Sequence, residues 1–525
     1  MLSRLVRPNT GVSARTFYRH AATSSSSIYI PPRTRDTKIM CTVGPASETL
    51  DVLKGLIERG ARIFRLNFSH GDFESHGRRL DTIRAASKEL GIPVAVCGDL
   101  QGPKIRVGTV PDTIQQGGVK PSVGGLIHVR AGDTVLLSAT ATDSSISADD
   151  GVATLSLTYQ DMVHEVEPGH LVLINDGAIR MEALGRDGND ILRCRVLVGG
   201  DITSGKGINL PESNIKAPAI TDKDWACVEW AKAHSVDYVA LSFVREAAEV
   251  AALKAVLGDA VHVISKIEKP QAIANLNDIV DASDAIMVAR GDLGVEMELA
   301  AVPIIQKQII AQSQLYGKPC IVATQMLESM IHNVIPTRAE ASDVANAIWD
   351  GADAVMLSAE SATGAHPQVV VSTMAQIIEQ AESLESHKSV NTPPARNAVA
   401  HKLTAALAHG AWHVTQKTEI KVVVCWSQHG NAARYLSQND LKVPIIAFSD
   451  NERSVHHMAL YNGITPVHMQ IPPSLSDFIQ AGEDVLLANK WVQPGDLVLF
   501  LGGRPLGASK STNSMTVHEI GAATD

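Results

Sequence analysis

Lys266-Ile-Glu268-Lys269 ends one apolar run of the chain, and Arg290-Gly291-Asp292 ends the next. Glu268 and Asp292 offer two hard oxygen ligands, the sparse protein ligation that Mg2+ accepts when substrate and water complete its octahedron. Two solvated loop carboxylates are the alternative reading. Lys266, two residues before Glu268 and on the same face of an extended strand, can set a fixed positive charge beside a transferring phosphoryl group. An interior lysine can equally serve as a salt-bridge partner. Gly291-Asp292-Leu293-Gly294 opens a helix, where free backbone N–H groups would receive a carboxylate or phosphate.

Other runs also end in polar groups. Asn67, Ser69 and Asp99 bring oxygens beside Arg65, a second cation site next to an anion-binding guanidinium, or else ordinary loop hydrogen bonds. Thr324, Ser358 and Glu360 make a candidate proton relay, although the hydroxyls can instead cap the helices that follow. His70 is a phosphate or base contact, or a loop histidine without a task. Arg106 and Lys206 would reach phosphates under a closing lid; taken singly, such residues are surface charges.

These groups need a scaffold that gathers strand ends. From residue 37, short β-rich apolar runs alternate with helical patterns, the sign of β/α units around a parallel sheet. Eight such runs are present: Lys38–Val43, Arg62–Asn67, Pro93–Asp99, Tyr238–Phe243, Val261–Lys266, Ala285–Arg290, Pro319–Thr324 and Ala354–Ser358. Between them, segments such as Thr49–Glu58 space Leu50, Leu53, Leu56 and Ile57 as an amphipathic helix does. Eight units predict a closed (β/α)8 barrel, whose catalytic groups sit at the carboxyl ends of its strands.

About 145 residues separate the starts of the third and fourth runs, far more than one crossover. Residues 101–216 hold short alternating runs (Leu126–Val129, Thr134–Ser138, Leu171–Ile174, Leu192–Val198), predicting an inserted all-β lid domain. The barrel is thus split into 36–100 and 217–386. After a polar, proline-bearing linker (Ser386–Pro394), residues 387–525 repeat a βα pattern. Strand candidates Ile420–Cys425, Val443–Phe448, Thr465–His468 and Leu497–Leu501, with a helix over Asp477–Asn489, predict a doubly wound α/β domain.

The 525 residues suffice for about three domains. Lys and Arg number 46 against 56 Asp and Glu, a net charge of -10 that argues against general affinity for nucleic acid or anionic membranes. No apolar run reaches the 18 or so residues of a membrane span. Six cysteines lack disulfide or metal spacing and read as reduced core residues. Residues 1–35 differ: six arginines, a run at Ser24–Ser27 and no acidic residue make them a transit peptide in outline, with a disordered tail as the alternative. Leu2, Leu5 and Val6 among Arg4 and Arg7 suit a basic amphipathic helix and so a mitochondrion, then a plastid; a mere tail would leave the protein cytoplasmic. Without this leader, 40 basic residues face 56 acidic ones, a charge of -16.

The chain resembles the pyruvate kinase family from about Thr37 onward. The resemblance is carried by TKIMCTVGPAS (Thr37–Ser47), RLNFSHG (Arg65–Gly71), DLQGPKIRVG (Asp99–Gly108), KGINLP (Lys206–Pro211), ISKIEKP (Ile264–Pro270), MVARGDLGVE (Met287–Glu296), ATQMLESM (Ala323–Met330), PTRAEASDVANA (Pro336–Ala347) and DAVMLSAE (Asp353–Glu360). It implies phosphoryl transfer from phosphoenolpyruvate to ADP, giving pyruvate and ATP, the last step of glycolysis, usually in a homotetramer. It also implies that Glu268 and Asp292 hold Mg2+, that Lys266 neutralises the moving phosphoryl group, and that Gly291, Asp292 and Thr324 hold the substrate carboxylate. Arg65, Arg106, Lys206 and His70 would meet phosphates, with a second Mg2+ arriving on the nucleotide and Mn2+ able to substitute. The last proton would come through water and hydroxyls near Thr324, Ser358 and Glu360.

Two departures matter. Potassium-dependent members read Asp-Thr-Lys-Gly-Pro-Glu where this chain has Asp99-Leu100-Gln101-Gly102-Pro103-Lys104, and Val107 replaces their threonine. The Lys104 ammonium can supply the charge of bound K+ in the pocket of Asn67, Ser69, Asp99 and Leu100, so turnover without K+ is expected; the pattern also resembles the bacterial second-type enzymes more than the animal cytosolic ones. In the C-terminal domain, the Ser/Thr-rich phosphate loop of activated relatives is reduced to Trp426-Ser427-Gln428-His429-Gly430-Asn431. Little activation by fructose 1,6-bisphosphate is expected; a weaker phosphorylated effector would touch Ser427, Asn431 and Arg504. A Mg2+-dependent barrel lyase acting on pyruvate-like acids is the rival enzyme, and a dead scaffold the rival without chemistry.

Overall fold

Alternation along each barrel strand decides which side chains face the axis. In the computed structural model, which describes residues 28–29, 35–112, 125–384, 402–507 and 512–522, the eight strands are Lys38–Thr42, Ala61–Asn67, Ala95–Asp99, Tyr238–Leu241, His262–Ile267, Ala285–Ala289, Cys320–Ala323 and Ala354–Leu357. Each pairs in parallel with its neighbours in chain order, and the last closes on the first. One set of strand residues (Ile39, Phe64, Val96, Val263, Val288, Val322) packs under the helices, while the alternate set (Met40, Ile63, Cys97, Ala240, Ile264, Met287, Ile321) fills the interior. Following that interior set toward the carboxyl ends leads to Thr42, Arg65, Asp99, Ser242, Lys266 and Glu268. The mouth is polar because the interior phase runs into these residues.

The inserted segment forms a seven-stranded sheet and a two-stranded one around its own core of Val135, Leu155, Val172, Met181 and Val196. Its two ends meet where Arg106 bridges Gly207, and Val107 bridges Leu157 just past the strand Ala153–Ser156. Its strands Leu126–Val129, Thr134–Ser138 and Leu171–Ile174 coincide with the expected runs, and the fourth begins one residue earlier, at Ile191.

The C-terminal sheet runs in the order Ile464–His468, Ile445–Ser449, Ile420–Trp426, Leu497–Gly502, Ser514–Glu519. Its first four strands are parallel, as a doubly wound domain requires. The fifth, antiparallel to Leu497–Gly502, has no counterpart in the sequence expectation. Its alternation is weak, and its buried member is His518, paired with Glu483 at 2.6 Å. The linker Ser386–Pro394 and most of the leader lie outside the described residues. Arg35, placed in the leader above, pairs with Glu379 at 3.0 Å and donates to the Arg59 carbonyl. All six cysteines are free and buried, and burial raises their thiol pKa values, Cys227 to about 11. No helix among the described residues is long and apolar enough to cross a membrane.

Candidate active site

Four charges alternate across the barrel mouth. Arg65 Nε donates to Asp99 Oδ2 at 2.5 Å, and Asp99 Oδ1 stands 3.4 Å from Lys266 Nζ, which lies 3.0 Å from Glu268 Oε1. Lys266 Nζ also donates to Ser242 Oγ at 2.7 Å, and Arg65 donates to Thr42 Oγ1 at 3.0 Å. Burial works against the charged form of Lys266, but Asp99 and Glu268 outweigh it and raise its pKa. It keeps its proton. Burial likewise opposes ionisation of Asp99, and there Lys266 and Arg65 prevail and lower the pKa.

Glu268 behaves differently. Burial pushes its pKa up to about 7, Lys266 opposes the rise, and the Asp292 charge adds to it. Its Oε2 accepts the Phe243 N–H at 2.7 Å, whereas Oε1 is buried without an aligned hydrogen-bond donor. Phe243 itself has φ 54°, a strained conformation that turns its N–H toward the carboxylate. Gly102 packs against it so closely that a Cβ there would meet the Phe243 ring at 2.8 Å. A buried, electron-rich oxygen beside a second carboxylate suits a small divalent cation, and two protein carboxylates match the sparse ligation of Mg2+. No cluster of three or more His, Cys, Asp or Glu ligands occurs among the described residues.

The short helix Arg290–Glu296 puts Gly291 and Asp292 in its first turn. The Gly291 N–H donates to Thr324 Oγ1 at 2.8 Å, and Thr324 Oγ1 donates to the Ala323 carbonyl at 2.6 Å. One of the expected free amides is therefore already engaged by the hydroxyl expected to share its ligand. Thr324 and Gln325 both have positive φ, 71° and 53°. Arg290 holds that turn by donating to the Thr324 carbonyl at 2.7 Å and to Asp343 at 2.7 Å. Arg290, Thr42, Ser242 and Phe243 are site-building residues whose roles the sequence did not disclose, since each acts through a partner distant in the chain.

Other expectations fare unevenly. Glu360 is fully buried, and its two oxygens accept the Leu327 N–H at 3.2 Å and the Ser358 N–H at 2.6 Å. Its carboxylate thus braces the loop. Asn67 Oδ1 accepts the Ser69 N–H, which is the loop hydrogen-bonding alternative. The Leu100 side chain lies in the layer under the helices, and only its carbonyl turns to the site, accepting from Ser242. Lys104 lies 3.6 Å from Asp292 and 3.8 Å from Asp176 of the β domain, while the ion pairs of Asp99 are with Arg65 and Lys266. Arg106 and Lys206 are on the two bridged segments of the hinge, Arg106 half-buried and bonded to the Gly205 carbonyl; His70 is exposed. In the C-terminal domain Ser427 is buried, with its Oγ accepting the Ala433 N–H, and Arg504 is exposed.

Two family models match this chain: "Pyruvate kinase, barrel domain" over residues 34–371 and "Pyruvate kinase, alpha/beta domain" over 405–518. The chain belongs to the pyruvate kinase family. It is 39% identical to the pyruvate kinase of Mycobacterium tuberculosis over 491 residues, 93% of this chain and 99% of that one. It is 37% identical to the pyruvate kinase of Staphylococcus saprophyticus over 492 residues, 93% of this chain and 81% of that protein. The crystal structure of a pyruvate kinase from Cryptosporidium parvum superposes with a TM-score of 0.83 at 31% identity, covering 93% and 96% of the two chains. As a pyruvate kinase it is a phosphotransferase, passing the phosphoryl group of phosphoenolpyruvate to ADP to give pyruvate and ATP. The family generally uses Mg2+.

Proposed function

We propose that the pyruvate kinase reaction runs on the charge row Arg65–Asp99–Lys266–Glu268, with Glu268 and Asp292 as the Mg2+ carboxylates. The observation that carries this reading is Lys266, only 12% exposed and held between two buried carboxylates that keep it protonated. A proton-holding ammonium in a low-dielectric mouth offsets the charge that builds on the phosphoryl group in flight. Bound Mg2+ supplies Lewis-acid stabilisation of substrate oxygens. Arg65, oriented by Asp99 and Thr42, faces a phosphate oxygen. The substrate carboxylate is received at Gly291, Asp292 and Thr324, displacing the Thr324 hydroxyl from the Gly291 amide. Thr324 and Ser358 then serve the proton path to the enolate, with Glu360 bracing the turn that presents Ser358.

The finer features follow from the same residues. Arg106, Lys206 and His70 meet the nucleotide phosphates, and its own Mg2+, when the β domain closes. The Lys104 ammonium beside Asp292 supports turnover without K+. Leu299, Ile304 and Ile335, 76%, 57% and 76% exposed, favour a homotetramer that covers them. With Ser427 turned inward, exposed Arg504 is the residue left for a phosphorylated effector, and fructose 1,6-bisphosphate is a weak activator at most. The basic leader favours mitochondrial import.

A coupled assay with phosphoenolpyruvate and ADP, run on the parent and on Lys266→Met, tests the central reading. Loss of turnover in a folded Lys266→Met protein is expected; undiminished turnover would overturn it.

A further inference from the structure

One carboxylate joins three parts of the site where the β domain returns to the barrel. Glu296, the last residue of the helix Arg290–Glu296, is buried. Its Oε1 accepts hydrogen bonds from Asn209 Nδ2 at 2.8 Å and from Lys269 Nζ at 2.6 Å. Asn209 ends the last strand of the inserted domain, Ile208–Asn209. Lys269 directly follows Glu268, and Asp292 lies one helical turn before Glu296. One oxygen therefore ties the returning lid strand to the chain segments that carry both carboxylates of the cation site.

The surroundings make this junction sensitive. Glu296 Oε2 and Asn209 Oδ1 are both buried and lack hydrogen-bond partners among the described residues. Both residues line a cavity of about 50 Å³ that Lys104 and Phe243 also border. Phe243 is the residue whose N–H holds Glu268, and Lys104 is the residue paired with Asp292. A desolvated carboxylate held through a single oxygen cannot lose one donor without leaving its charge undercompensated, so displacement of Asn209 is felt at Lys269.

We propose that Glu296 is a positioning residue: it holds Glu268 and Asp292 at their working separation and makes that separation depend on the seating of the β domain through Asn209. This role rests on Glu268 and Asp292 being the divalent-cation carboxylates. Packing alone would not call for a charged group here; a junction that transmits lid position to the ion does.

The test is Mn2+ binding to the full-length protein, followed by the electron paramagnetic resonance signal of free Mn2+, with melting temperatures on the same preparations. Asn209→Ala removes the lid's donor and leaves the Glu296–Lys269 pair; Glu296→Gln keeps an acceptor and removes the charge. Each is expected to weaken Mn2+ binding about tenfold. The double variant should bind no worse than the weaker single one, because both changes act through the one Asn209–Glu296–Lys269 connection. Should Glu296→Gln fail to fold, Asn209→Ala decides alone. Parent-like Mn2+ affinity in folded Asn209→Ala, or fully additive losses in the pair, would overturn the role. Asp292→Asn separates the two readings: if it too binds Mn2+ like the parent, the cation-site assignment fails; if it abolishes binding while Asn209→Ala does not weaken it, only the positioning role fails.

Discussion

Lys266 Nζ stands 3.0 Å from Glu268 Oε1 and 3.4 Å from Asp99 Oδ1, so a single ammonium is shared by two buried carboxylates. Removing it deprives Glu268 of its counter-charge, leaves Asp99 with Arg65 alone, and takes from the phosphoryl group its neighbour. Lys266→Met is expected to lower kcat about 10³-fold and to lower the melting temperature, read by the coupled assay and by calorimetry. A kcat within about tenfold of the parent would show that the ammonium does not act on the transferring group.

Lys104 lies 3.6 Å from Asp292, so its positive charge is built into the edge of the site. Activity is expected to be the same with K+ as with tetramethylammonium in a sodium-free assay. Lys104→Glu should lower kcat/KM for phosphoenolpyruvate about tenfold, because it replaces attraction at Asp292 by repulsion. A strict K+ requirement in the parent protein would contradict this.

Thr324 combines a useful hydroxyl with a costly backbone. Its φ of 71° is a conformation that β-branched residues avoid, and its Oγ1 accepts the Gly291 N–H. Thr324→Ser keeps the hydroxyl with less steric conflict and should retain most of the activity. Thr324→Ala should lose about 10²-fold in kcat. Equal activity of the two variants in a steady-state comparison would remove the hydroxyl from the mechanism.

His457 of the C-terminal domain stacks on His262 of the barrel, ring centroids 3.7 Å apart, and its Nε2 is 3.0 Å from the Asp237 carbonyl. Burial pushes His457 down to about 3 and lowers His262 as well. Both are neutral in the fold near pH 7, whereas unfolded imidazoles take up protons near pH 6.5. The His457 contribution is whole above that pH and is lost as the pH falls toward 3, at up to ~1.4 kcal/mol per pH unit, and that of His262 declines in the same direction. The denaturant midpoint should therefore fall between pH 7 and pH 5, and His457→Phe should flatten the fall. A profile unchanged by that substitution would remove this pair as its cause.

The barrel was legible in the chain because strand side chains alternate and apolar runs of that period have one stable use. All eight expected runs are strands whose ends match to within about two residues. The same alternation, extended past each run, already pointed Lys266 and Glu268 to one interior. Conversely, the strand Ser514–Glu519 was hidden, since an edge strand covered on one face by a His–Glu pair carries little apolar signal.

The types and order of the reactive groups were thus set by sequence alone: which residues end strands, and that acids, bases and hydroxyls converge there. Tertiary structure alone decided their partners. Glu360 could have been a proton donor but took two backbone N–H groups; Lys104 could have approached Asp99 but took Asp292 and Asp176. Glu296 read as the tail of a motif until Asn209, from the far end of an inserted domain, met it. The reason is that local periodicity fixes where a side chain starts, whereas its partner is settled by competition among charges and donors within a few ångströms, brought together from segments far apart in the chain.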